Sequence, residues 1–246
     1  MRLRPLALAA ALVVGLAACG PAPVPSDTPT PAISAEPTAP TLAEEPPLSE
    51  RTLAQPVPKF LDEEQKALFL HAYEAAQFLL ASNVPEYPRP DGSTLESREP
   101  IEVGDENRYG VYEVATGRYG WWADFKAMVE DIFTPEYLAK LGVRENAPLE
   151  DFPCFTSTQE GRLCYLAWSK GDGDPFYSAC DTPDSYELVS QSETEITFRL
   201  IGHYVTEAYF NAPGTPEAAE ETTRSFPIRM VKTDAGWRVA EFHLPY

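Results

Sequence analysis

Apolar side chains recur at helical spacing in the first part of the folded region and at every second position after about Asp151. In "LDEEQKALFLHAYEAAQFLLASN", Leu68, Ala72, Ala75 and Leu79 return once per helical turn, which predicts an amphipathic helix to about Ser82. Asp62 followed by Gln65 has the pattern of a capping box, and Glu63 and Glu64 suit the positive end of the helix dipole. A second helix is predicted from about Ala123 to Ile132, with Phe125, Met128, Val129 and Ile132 inward. Thr134 and Pro135 supply an N-cap and a first-turn proline for a short third helix that ends at Gly142. Tyr109 to Thr116 reads as an isolated strand.

Beyond Asp151 the alternation predicts strands near 152–157, 162–169, 175–181, 185–190, 194–210, 223–232 and 236–244. In the long strand, Ile196, Phe198, Leu200, Tyr204, Ala208 and Phe210 share one face, and Glu195, Arg199, His203 and Glu207 the other. "TDAG" at Thr233 to Gly236 suits a type I turn with Gly236 left-handed. Helices first and antiparallel strands afterwards predict an α+β fold, with N-terminal helices packed on one face of a curved, mainly antiparallel sheet. Bilobate, NTF2-like and cystatin-like arrangements all satisfy that pattern.

The N-terminus has a different character. Arg2 and Arg4 precede an apolar run to Ala18, roughly fourteen residues and short of the ~20 that span a bilayer, so it has the shape of a secretory signal. Leu16-Ala17-Ala18-Cys19, with Gly20 after it, resembles the lipobox of bacterial lipoproteins. The resemblance implies cleavage before Cys19, lipidation of its sulfur, and stable anchoring of an extracytoplasmic protein to the cell membrane through acyl chains alone. From Cys19 to Pro58 the composition is Pro, Ala, Thr, Ser and Glu, too poor in large apolar groups to offset ordering entropy. That stretch is expected to be a disordered tether reaching on the order of 100 Å at ~3.1 Å per residue. The organisation predicted is thus a signal peptide over 1–18, a lipidated tether over 19–58 and one α+β binding domain over 59–246.

A formal charge of −19 disfavours nucleic acid and anionic lipid surfaces as partners and favours a basic protein surface or cationic ligands, while acidity that only maintains solubility explains the charge equally. Cys154, Cys164 and Cys180 remain after lipidation. Hairpins centred near Gln159 and Asp172 would each offer Cys164 a cross-strand partner, so one disulfide is expected, with Cys154 preferred over Cys180, and one free thiol. Catalytic signals are weak. His71 borders the apolar stripe of the first helix, and His203 and His243 lie on strands near Arg199, Glu207 and Glu241. If the sheet curled around a cavity, His203 and Glu241 could do acid–base work; otherwise they belong to a solvated face. "GDGD" at Gly171 to Asp174 lacks the later ligands of a calcium loop and reads as an acidic turn. No nucleophile elbow, zinc motif or phosphate-cradling loop occurs, and no metal or cofactor is implied.

"RYGVYEVATGRYGWW" concentrates Tyr109, Tyr112, Tyr119, Trp121 and Trp122 beside Arg108 and Arg118. Core packing and partner contact explain such a cluster equally, and Trp121, Trp122, Asp172 and Asp174 are the candidate partner-binding residues. "LDEEQKALFLHAYEAAQFLL", "DIFTPEYLAKL", "SYELVSQSETEITFRLIGHY" and the closing "MVKTDAGWRVAEFHLPY" resemble, in order, the elements of the IseA-like family of D,L-endopeptidase inhibitors, over about 60–246. The resemblance implies a non-enzymatic, acidic α/β protein that binds the catalytic domain of NlpC/P60-type cell-wall hydrolases and blocks cleavage of peptidoglycan stem peptides; a monomer is expected. The lipobox, the tether and the three further cysteines depart from the family's pattern. The alternative expectation is a non-enzymatic, extracytoplasmic ligand-binding lipoprotein of NTF2-like or cystatin-like form.

Overall fold

The computed structural model describes residues 47–80, 84, 87–167, 174–211 and 221–245. The signal peptide, Cys19 and the tether up to 46 lie outside the described residues. Among the described residues no helix is long and apolar enough to cross a membrane.

The described residues begin inside the stretch expected to be tether. Ser49 caps a one-turn helix, α1 (Glu50–Leu53), whose Thr52 is buried. Its hydroxyls reach the long helix α2 (Glu63–Leu79): Ser49 Oγ donates to Glu74 Oε2 at 2.6 Å, and Thr52 Oγ1 donates to the same oxygen. The boundary expected at Pro58 is therefore corrected to Ser49 or earlier. A few capping hydroxyls hold this segment, so its composition conceals its order.

The capping box of α2 is formed as predicted, with Asp62 Oδ1 accepting from the Gln65 amide at 2.9 Å and Gln65 Oε1 from the Asp62 amide at 3.0 Å. Its buried stripe centres on Phe69, Ala72, Ala76 and Leu79, and Leu68 lies at the margin. Phe69 meets Tyr186, Phe198 and Phe242, at ring-centroid distances of 5.4, 6.2 and 5.8 Å. These residues belong to the larger sheet, β5 (Ser185–Gln191), β6 (Glu195–Val205), β7 (Glu221–Thr233) and β8 (Gly236–Phe242), antiparallel in that order. Ile196, Phe198, Leu200 and Tyr204 face inward on β6 as the alternation predicts. Bulges at Leu188/Ser190 and Arg229/Met230 interrupt its outer ladders.

A second antiparallel sheet has the order β1 (Ile101–Gly104), β2 (Tyr109–Val114), β4 (Leu163–Leu166), β3 (Phe155–Ser157). Between its strands in sequence come α3 (Trp122–Ile132) and α4 (Pro135–Lys140). Thr134 caps α4, Pro135 opens it, and the Tyr137 hydroxyl donates to the Phe242 carbonyl, which ties α4 to β8. One continuous core runs from Phe155 and Leu163 of this sheet through α2 and α3 to Phe198 and Val239 of the larger one. The chain is an α+β protein built of helices and two antiparallel four-stranded sheets.

Three local expectations are corrected. β2 is not isolated: it sits between β1 and β4, because the Asp105 carboxylate accepts from the Asn107 amide and turns the chain back onto the largely exposed segment 101–104. The strand expected over 175–181 is instead helical, α5 (Pro175–Ser178), with Asp174 capping the Phe176 amide at 3.0 Å. The strand expected to continue to Phe210 ends at Val205, where Thr206 caps α6 (Glu207–Phe210) and leaves Phe210 exposed. In both places a capping oxygen satisfies a helix-start amide and overrides apolar alternation.

Candidate functional site

Among the described residues, a concavity lies against the second sheet. It is a groove of about 580 Å³, between the extended segment 97–100 and residues 113–117, with Tyr165 and Val84 completing its lining. The outer wall, Ser97 to Pro100, is exposed, so the groove opens to solvent there, and Val114 and Ala115 form a buried floor. Glu113 and Tyr165 face one another across the β2–β4 ladder, and Tyr165 Oη donates to Glu113 Oε2 at 2.5 Å.

Arg162 lies buried behind the groove. It is only 4% exposed, and its guanidinium donates to the carbonyls of Gly120, Ala115 and Glu96 at 3.1, 2.7 and 3.2 Å. One side chain thereby joins the outer wall to the strand behind it. At the rim, Arg98 forms an ion pair with Glu160 at 2.5 Å. With Arg98 compensated, Glu99 and Glu113 leave the lining acidic on balance. None of these residues was singled out by sequence reasoning. The one local signal is Glu99-Pro100: a proline has no amide hydrogen and interrupts a ladder.

The predicted contact residues that are described, Trp121, Trp122 and Asp174, do not form one surface. Trp122 is 5% exposed and packs on Phe125 at 5.7 Å, as core. Trp121 is half-buried at the N-cap of α3, with the Arg162 guanidinium 5.7 Å from its ring. It therefore lies beside the clamp of the groove. Asp174 caps α5 and pairs with Arg224 at 2.7 Å, so its charge is already matched by a neighbouring strand. Asp172 lies outside the described residues.

The expected disulfide is also corrected, for Cys154, Cys164 and Cys180 are all free. Thr156, not Cys154, stands opposite Cys164, because the hairpin is centred one residue later than its sequence suggests, and Cys180 follows a helix instead of lying on a strand. Burial pushes the Cys164 thiol up to about 11. The histidines are separate too. His203 Nδ1 is 3.4 Å from Glu221, and His243 Nε2 is 3.3 Å from Glu241. Glu241 faces Arg229, which faces Thr197, well along β6 from His203. Among the described residues no group of His, Cys, Asp and Glu is arranged to hold a metal ion. No protein-family model matches the chain, and no curated protein matches it either.

Proposed function

We propose that this chain is a cell-surface lipoprotein that binds and inhibits a cell-wall D,L-endopeptidase of the NlpC/P60 type, without catalysis of its own. The observation that carries this reading is the groove beside β2, which is open along an exposed wall, acidic on balance and held in shape by Arg162. An open acidic groove on a chain of charge −19 suits a basic protein surface. A small-molecule site or an active centre built on His203 and Glu241 needs those two residues at one cavity, and they lie apart. The resemblance of the sequence to the inhibitor family, from the capped helix to the closing stretch, is the other ground for this reading. Lipidation at Cys19 and the proline-rich tether would carry the domain to the wall, where such hydrolases work.

The test is direct binding. Purified catalytic domains of the host's NlpC/P60 enzymes are passed over the immobilised chain at rising salt. At least one should bind, with association slowing as salt passes ~0.1 M, where the Debye length falls to ~10 Å. Absence of binding by every such enzyme at low salt would refute the reading.

A further inference from the structure

The ladder between β1 and β2 is interrupted where the groove lies. Its rungs run from Gly104–Tyr109 to Ile101–Tyr112, and past the gap the Leu95 amide donates to the Thr116 carbonyl at 3.3 Å. The outer chain advances from Leu95 to Ile101 while β2 advances only from Tyr112 to Thr116, two positions fewer. The surplus pushes 96–100 outward, and the groove is the space behind it.

Strand alternation fixes which backbone groups face that space. The Val111 carbonyl accepts from Ala167 at 2.8 Å and the Ala115 amide donates to Leu163 at 3.0 Å, so odd-numbered residues bond towards β4. Even-numbered residues bond the other way, as Thr116 does to Leu95. The amide and carbonyl of Val114 therefore point into the groove. The register of β1 would set Glu99 opposite Val114, but no hydrogen bond among the described residues closes that rung. Val114 is 7% exposed. Among the described residues a donor and an acceptor thus sit together without a protein partner on the floor of the groove, where a strand could take the place of solvent.

We propose that the groove receives an extended peptide segment carrying a basic side chain, which completes the rung at Val114 and sets its cation against Glu113 and Glu99. A single residue of an extended peptide offers one donor and one acceptor at strand spacing, which matches the two free groups. Its neighbours in sequence then fall opposite Glu113 and Ala115, so a flanking lysine or arginine meets the Glu113 carboxylate. Charge argues for the same occupant, since Arg98 is held by Glu160 and the two remaining carboxylates favour a cation. The inference rests on the inhibitor reading only for the owner of the segment, a basic loop of the hydrolase. The chemistry of the site stands without it.

The experiment uses the isotope-labelled full-length chain and no hydrolase. It is titrated with the N-acetylated, C-amidated pentapeptide Ala-Lys-Val-Lys-Ala while backbone amide resonances are followed. Shifts should concentrate at Ser97, Arg98, Glu99, Val114 and Thr116. N-methylation of the peptide's valine, which removes its donor without touching the protein, should weaken binding about tenfold, the loss of roughly one good hydrogen bond. Glu113→Gln keeps an acceptor for Tyr165 and should weaken the lysine peptide several-fold. Shifts elsewhere, equal affinity of the N-methylated peptide, or no binding at millimolar peptide would overturn the proposal. Peptide binding without hydrolase inhibition would leave the site standing and remove the inhibitor reading; inhibition without peptide binding would do the reverse.

Discussion

Asp184 is 8% exposed, with the Tyr177 hydroxyl on one carboxylate oxygen at 2.8 Å and no partner for the other among the described residues. Burial pushes its pKa above the usual carboxylate range, against the opposing pull of the Tyr177 hydrogen bond and of His203. A carboxylate shifted upward penalises the folded state at neutral pH, and the penalty fades as pH falls through the folded value towards the unfolded one near ~4. Asp184→Asn should therefore raise the thermal midpoint at pH 7, with the gain disappearing on acidification below about pH 4; an unchanged or lower midpoint at pH 7 would contradict this. The cysteines make a second case at this scale. Apart from Cys19, three thiols should be titratable in the unreduced, denatured chain, and in the native chain Cys164 should resist alkylation at pH 8 while the less buried Cys154 and Cys180 react. Detection of a single thiol would restore the disulfide. Residue identity was a poor guide to these roles. Adjacent tryptophans at 121 and 122 look alike in sequence, yet a helix start turns one into the core and leaves the other beside Arg162.

Elements with their own local signals were legible in the sequence. The capping box at Asp62, the Thr134-Pro135 start and the alternation along β6 each arise from contacts within a few residues, and each formed. Elements fixed by distant partners were not. β1 is short and largely exposed and exists because β2 is beside it, and α1 is held by Glu74, far along the chain. The groove belongs to this second kind, for it arises from a two-residue mismatch between segments that meet only after folding. Glu74 offers a test at this scale. Burial opposes its ionisation, but hydrogen bonds from Ser49, Thr52 and Tyr87 outweigh that and hold its pKa below the usual range. A lowered carboxylate stabilises above its unfolded pKa and loses that stability as pH falls through the folded value. Glu74→Gln should destabilise the chain by about 1 kcal/mol at pH 7, a figure reduced for partial exposure, and the deficit should close in acid. A deficit that is the same at pH 7 and in acid would contradict this account of α1. The pH trend is opposite to that of Asp184→Asn, so the two variants check one another in denaturation curves at several pH values.

At the scale of the whole molecule, the proposed account joins an anchor, a tether and an acidic binding domain. The anchor rests on Cys19. Cys19→Ala should block processing or release the chain from the membrane in cell fractionation, and stable retention of a processed variant would contradict the lipid attachment. The central claim is inhibition, and the measurement that meets it most directly is hydrolysis of purified peptidoglycan by each NlpC/P60 enzyme of the host, with and without a stoichiometric amount of the chain. At least one enzyme should slow sharply at low salt, the chain alone should release no wall peptides, and Glu113→Gln should restore part of the rate. Unchanged rates for every enzyme at low salt, or cleavage by the chain itself, would contradict that claim.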